Sequence, residues 1–391
     1  MRARLLLPLF LVLGVTSIGC HRHRRQPANA PQNGVAPDQG TQQQAAAAPA
    51  LALTGAGTAL TRVTADNVDE LEPHLSPDGK LLVFVAAVPG ADANGNATVQ
   101  TSILGADPST GGGRTIYTSA NVVTDFPTWT PHGSLVYVSS STGSPSLVRA
   151  LTDTPNAAFS VIVDGRSLQN PSWPAVSSDG RHIVLEATMG GVESIVTIGI
   201  EGNRLTVLGP GYAPSFSPDG KRIAFSRQVG NGYEIMLMDA ATGSNLTQVT
   251  NTGCSSNKPK FSPDGRYLVF ETNCGWNAIA GGTETTTWNL YAVKTDGTAM
   301  TQLTTSVGEC GQPFWGKDGF IYFESNSGGT SNRDIWKMQP TGDLAGPAVV
   351  VTPAASTGAP PPKMAAPSKA TPGTGTGPKP PGTGKSAAPN W

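Results

Sequence analysis

Short apolar runs recur along the middle of the chain without helical spacing. Leu81-Leu82-Val83-Phe84-Val85 and Ile223-Ala224-Phe225 are two of them, each flanked by Gly, Pro, Asp or Ser. Runs of four or five apolar residues between turn formers read as strands, not helices. Each run follows the same kind of phrase. A short stretch leads from a Pro through an apolar residue: Leu75, Trp129, Val176, Phe216, Phe261 or Trp315. A tight turn comes next, built on Asp-Gly or on His132-Gly133. Gly accepts positive φ there, and Asp bonds to nearby backbone. The pair of strands is a hairpin. A third strand is expected in Glu234-Ile235-Met236-Leu237-Met238 and Asn289-Leu290-Tyr291-Ala292-Val293, and a fourth in Leu246-Thr247-Gln248-Val249-Thr250 and Met300-Thr301-Gln302-Leu303-Thr304.

The phrase occurs six times, starting at Pro73, Pro127, Pro174, Pro214, Pro259 and Pro313, at intervals of 54, 47, 40, 45 and 54 residues. A unit of about 40–50 residues with four strands is a propeller blade. One blade cannot cover its own two faces, whereas blades stacked around an axis cover each other. The expected fold is all-β: a six-bladed β-propeller of four-stranded blades, with disordered N- and C-terminal tails. Residues 60–64 look like a fourth strand yet precede the first phrase. They are expected to complete the last blade and close the ring, with residues 348–352 as a competing candidate.

The Pro-x-aromatic-Ser-Pro-Asp-Gly-Lys phrase, with Leu-Thr-x-Val-Thr before it, resembles the WD40-like repeat of TolB-type propellers. The resemblance covers residues 58–352. It is strongest in the first, fourth and fifth phrases and weakest in the sixth, which carries Gly316-Lys317. It implies a periplasmic, non-catalytic six-bladed propeller that binds partner lipoproteins and short peptides at one face and at its central channel. A separate α/β domain precedes the propeller in TolB itself, and the corresponding segment here is of low complexity. The expected function is therefore a protein–protein interaction scaffold in the cell envelope, acting as a monomer on envelope proteins or peptides such as a peptidoglycan-associated lipoprotein. The alternative is a propeller hydrolase or lyase, or a ligand-binding sensor, acting on envelope peptides or glycans.

Composition adds compartment. Arg2 and Arg4 precede an apolar stretch ending in Ser17-Ile18-Gly19-Cys20. This reads as a secretory signal over residues 1–20, with Cys20 in a lipobox-like position as the lipid-bearing residue. The expected location is the periplasm, with anchoring to the outer membrane through lipid on Cys20. Residues 21–57 read as a low-complexity tether, and residues 353–391 as a disordered tail rich in Pro, Gly and Lys. Residues 58–352 carry 17 Lys/Arg against 26 Asp/Glu, a balance of −9 that argues against a nucleic-acid surface.

Cys254 and Cys274 flank the ends of two antiparallel neighbour strands in the fifth phrase, so a Cys254–Cys274 disulfide is expected. Cys310 could compete for Cys274. No His lies near these cysteines, so no metal site is expected, and no cofactor either. The histidines His74, His132 and His182 fall at different ends of the repeat and do not form a ligand set. The Asp-Gly aspartates recur at one turn in five of the six repeats, which marks them as turn residues. Pro381-Gly382-Thr383-Gly384-Lys385-Ser386 lacks the first Gly and the preceding strand of a phosphate-binding loop. No Gly-x-Ser-x-Gly elbow appears, and no catalytic residue is assigned. What remains is the mouth of the channel, where the loops entering each first strand converge. Its candidate binding residues are Glu70, Glu72, His74, Asp125, Trp173, Tyr212, Lys258, Lys260 and Gln312, an acidic wall with a few aromatics suited to a basic or mixed peptide.

Overall fold

The computed structural model describes residues 52–345, apart from 54–56, 92–96, 119–122, 152–153, 156, 279–283, 306–307 and 328–331. Six four-stranded antiparallel sheets follow one another along the chain. Blade 1 is Asp69–Leu75, Leu82–Ala91, Ala97–Ala106 and Thr115–Ile116. Blade 2 is Thr124–Trp129, Leu135–Ser139, Ser146–Ala150 and Phe159–Val163, and blade 3 is Gln169–Val176, His182–Met189, Val192–Gly199 and Thr206–Pro210. Blade 4 is Tyr212–Phe216, Arg222–Val229, Gly232–Asp239 and Thr247–Gln248, and blade 5 is Ser256–Phe261, Tyr267–Ala278, Glu284–Lys294 and Thr301–Gln302. Blade 6 takes Cys310–Trp315, Ile321–Ser325 and Asp334–Pro340 from the end of this region, and its outer strand Gly57–Arg62 from the beginning. The six first strands touch one another in cyclic order, so the blades close into a ring.

The apolar runs of the second strands are buried on both faces, as stacked blades require. Leu82, Val83, Phe84, Val85, Ile223, Ala224 and Phe225 are all buried. Six hydrophobic clusters fill the molecule, and each is a layer between two blades. Phe84 and Leu82 meet Tyr322 and Ile335 between blades 1 and 6, while Tyr267 and Val269 meet Ile321 and Phe323 between blades 5 and 6.

The Ser-Pro-Asp-Gly turn explains itself. In blade 5, Ser262 Oγ donates to Asp264 Oδ1 at 2.6 Å and accepts the Tyr267 N–H at 2.9 Å. Asp264 Oδ1 also accepts the Arg266 N–H at 3.1 Å, and Gly265 takes φ 72°. The same set recurs at Ser76/Asp78, Ser177/Asp179 and Ser217/Asp219, and these hydrogen bonds hold the aspartates below the usual carboxylate range.

The ring closes through residues 57–62. Thr58 pairs with Gln339 and Arg62 with Trp336, and the Val63 N–H reaches Ile335 O at 2.7 Å. The alternative closing segment, residues 348–352, lies outside the described residues. Ion pairs reinforce the seam: Arg62 Nη2 lies 2.6 Å from Asp334, and Arg114 reaches both Asp66 and Glu70. A two-residue pairing, Ala52–Leu53 against Thr304–Thr305, adds the preceding segment to the rim of blade 5. Cys254 and Cys274 are joined by a disulfide with a Cα–Cα distance of 5.5 Å. Cys310 is buried, with its Sγ 3.4 Å from Ser325 Oγ.

Candidate functional site

Each first strand carries a bulge at the same place. The pairing register shifts between Leu71 and His74, Asp125 and Thr128, Ser172 and Ala175, Tyr212 and Ser215, Asn257 and Lys260, and Gly311 and Phe314. A bulge leaves one residue unpaired and re-aims its side chain. Here that residue precedes the repeat proline, which also disfavours the right-handed helical region at this position. The result is a ring of six left-handed residues: Glu72, Phe126, Trp173, Ala213, Lys258 and Gln312, with φ between 46° and 57°. Left-handed backbone costs a non-glycine residue about 1–2 kcal/mol.

Acceptors from the neighbouring blade hold this strained ring. Glu186 of blade 3 accepts the Ala213 N–H at 3.1 Å, Ser226 of blade 4 accepts the Lys258 N–H at 3.1 Å, and Glu271 of blade 5 accepts the Gln312 N–H at 2.8 Å. The Glu72 N–H is directed at the Glu324 carboxylate of blade 6. Glu72 in turn accepts the Phe126 N–H at 2.6 Å. Apart from this last link, the acceptor sits at the mouth end of a second strand.

Five of the ring's six residues line one narrow cavity of about 30 Å³, bounded by Glu72, His74, Phe126, Trp173, Lys258, Lys260 and Gln312 with Pro73, Pro127, Pro174 and Pro313. The ring of Phe126 packs 4.7 Å from that of Trp173, and Lys258 Nζ stands 5.2 Å from the Trp173 ring centroid. The same ammonium is 3.0 Å from Glu271 Oε1. His74 packs against Phe314 with ring centroids 4.0 Å apart. Burial dominates the titration of this region. It pushes Glu72 well above the carboxylate range and raises Glu186 and Glu324 to about 7. It pulls Lys260 down to about 8 and keeps His74 neutral, helped by the Lys260 charge. Among the described residues, no group of three or more His, Cys, Asp or Glu is placed to hold a metal ion.

Of the nine residues expected at the mouth, Glu72, His74, Trp173, Lys258, Lys260 and Gln312 line the cavity. Glu70 does not. Its side chain is fully buried and pairs with Arg114 at the ring seam, because its strand position alternates away from the channel. Asp125 and Tyr212 each stand one residue before the left-handed position, which Phe126 and Ala213 occupy. Tyr212 packs edge-on against Tyr233 at 5.2 Å instead. The residue before each repeat proline was the available signal. The latch residues Glu186, Ser226, Glu271 and Glu324 carry another: a polar residue closing an apolar run.

No protein-family model matches the chain. Over 123 residues it is 29% identical to the Tol-Pal system protein TolB of Xanthomonas oryzae pv. oryzae (strain PXO99A), a match covering 31% of this chain and 26% of that protein. The TolB of Xanthomonas campestris pv. campestris (strain B100) is 28% identical over the same length. The match thus spans about a quarter of the length of these relatives. Among solved structures, a protein assigned as TolB from Agrobacterium tumefaciens superposes with a TM-score of 0.51 at 14% identity, over 72% of this chain and 97% of its own. A gluconolactonase from Xanthomonas campestris gives the same TM-score of 0.51 at 15% identity, over 75% and 97%. At these identities the superpositions speak for the fold alone. The chain is a six-bladed β-propeller that is similar to TolB over 123 residues.

Proposed function

We propose that the chain is a non-catalytic interaction scaffold of the bacterial cell envelope. It sits in the periplasm, held at the outer membrane through lipid on Cys20, and binds a peptide segment of an envelope protein at the channel mouth. A peptidoglycan-associated lipoprotein is the leading partner, by analogy with the Tol-Pal system to which its sequence relatives belong. One observation carries this reading. Strained, latched backbone aims Glu72, Phe126, Trp173, Lys258 and Gln312 into one cavity. Strain of this kind persists where surrounding structure enforces it, and it gathers at ligand sites. A rigid aromatic pair beside a few fixed polar groups suits an inserted peptide. The test is capture from detergent-solubilised envelope on the immobilised chain, with Trp173→Ala and Phe126→Ala as comparisons. Recovery of an outer-membrane lipoprotein or other Tol-Pal component that both substitutions abolish is the expected result. Equal recovery by all three proteins rejects the channel mouth as the binding surface. For the anchor, Cys20→Ala is expected to move the protein from the membrane to the soluble periplasmic fraction, and an unchanged distribution rejects lipidation.

A further inference from the structure

The carboxylates around the channel already have work to do inside the fold. Glu72 accepts the Phe126 N–H, Glu271 accepts both the Gln312 N–H and the Lys258 ammonium, and Glu324 faces Arg333 at 3.7 Å. Of the acidic wall suggested by sequence, Glu72 is an inter-blade latch whose carboxyl burial pushes well above the usual range, and Glu70 is paired with Arg114 away from the cavity.

Lys260 is different. It follows the blade 5 bulge by two residues, lines the cavity and is only partly exposed, yet its ammonium makes no hydrogen bond or ion pair among the described residues. Glu72 attracts it from a distance and Lys258 repels it. In the same cavity the buried Nδ1 of His74 and the amide oxygen of Gln312 also have no hydrogen-bond partner. A partly exposed ammonium in a cavity, with no ion-pair partner of its own, can be completed by an anion from solution. A carboxylate would do so. It accepts from an ammonium in a charge-assisted bond, from His74 as the Nδ1–H tautomer, and from Gln312 once the amide turns to present its NH2 in place of the unpartnered oxygen.

We propose that Lys260 is an anion seat in the channel, taking a carboxylate of the segment that enters the mouth, with His74 and Gln312 beside it. The proposal rests on the channel-mouth reading above and deepens it. The carboxylate is either a chain terminus or an Asp or Glu side chain, and the aromatic pair Phe126 and Trp173 receives the neighbouring apolar group.

Small probes test the seat without any protein partner. Histidine-selective NMR of the full chain follows the His74 ring during titration with N-acetylglycine, N-acetylglycinamide, propylamine and the blocked tripeptide acetyl-Gly-Asp-Gly-amide. N-acetylglycine is expected to shift the His74 resonance saturably and to raise its titration midpoint by about one pH unit, as a nearby opposite charge does. The neutral amide and the amine are expected to leave it in place. Lys260→Met should abolish the response and Lys260→Arg should restore it. A response to N-acetylglycine alone assigns the seat to a chain terminus, and a response to the tripeptide as well admits side chains. No saturable shift, an equal shift with the amide, a shift with propylamine, or an unchanged response in Lys260→Met overturns the seat. Envelope capture is scored separately. Its failure beside a working seat rejects the scaffold, and its success without a seat rejects only the assignment of Lys260.

Discussion

At the scale of single residues, two kinds of position control this chain: the serine of the turn and the residue before the proline. Ser262 is buried and serves both Asp264 and the Tyr267 N–H. Ser262→Ala leaves that N–H buried without its acceptor, so a loss of about 1–3 kcal/mol is expected in urea unfolding. The left-handed ring predicts a gain instead. Ala213 holds φ 46°, contributes no side chain to the cavity and suffers strain that glycine does not. Ala213→Gly should stabilise by up to about 1 kcal/mol, the relief of left-handed strain less the extra chain entropy of glycine. An unfolding midpoint lower than that of the parent would show that the bulge is not strained. These residues also mark how far the sequence could be read. The Ser-Pro-Asp-Gly phrase and its variants give every hairpin because the chemistry of the turn is local. The bulge is not local, since it exists only when a neighbouring blade supplies an acceptor. That is why a reading from where the entering loops converge includes Asp125 and Tyr212, one residue short of Phe126 and Ala213. It is also why Glu271 and Glu324 look like mere ends of apolar runs.

At the scale of elements, the hairpins of blades 1 and 5 are longer than those of the other blades, with strands of 10 to 12 residues. The blade 5 hairpin is pinned near its exit from the ring by the Cys254–Cys274 disulfide, which closes a sequence separation of 20 residues. Replacing both cysteines with serine is expected to cost about 2–4 kcal/mol, mainly by freeing the unfolded chain. Thermal unfolding with and without reductant measures it, and identical curves would show that the bond adds nothing. The fourth strands were the hardest elements to place from sequence. In blades 1, 4 and 5 they shrink to two paired residues each, Thr115–Ile116, Thr247–Gln248 and Thr301–Gln302. An outer strand has a partner on one side only, so its pattern carries less of the burial signal that marks the second and third strands.

At the scale of the whole molecule, buried glutamates set the pH response. Burial raises Glu70, Glu186 and Glu324 to about 7 from 4.5. In the unfolded chain these groups release their protons near 4.5, and in the folded chain only near 7. Stability from their protonated forms is thus complete below 4.5 and lost as pH rises toward 7. The turn aspartates, held low, act only below their ordinary value of 3.8. Lys260, lowered to about 8 from 10.5, costs stability in acid and recovers it only above 8. His74, held neutral by burial, works the other way, losing stability as pH falls below 6.5. Arg333 beside Glu324 and Arg114 beside Glu70 also soften the effect, but three raised glutamates outweigh one lowered histidine. The urea midpoint should therefore fall between pH 5 and pH 7.5, and Glu186→Gln should flatten that slope. A midpoint that climbs over the same interval would contradict the burial account.

The seam of the ring has a mechanical meaning. Tension applied upstream of Ala52 meets the two-residue pairing to Thr304–Thr305 first and the strand Gly57–Arg62 next. Beyond that strand lie the Arg62–Asp334 pair and the first strand of blade 1, which carries Glu72 and His74 into the channel. Load from the N-terminal side is thus taken first at the rim of blade 5 and then by blade 6, in series with the mouth. Peeling that strand would unlock the ring of latched residues at the point where it closes, so a pull from the N-terminal side and the grip on a channel ligand are coupled through a single strand.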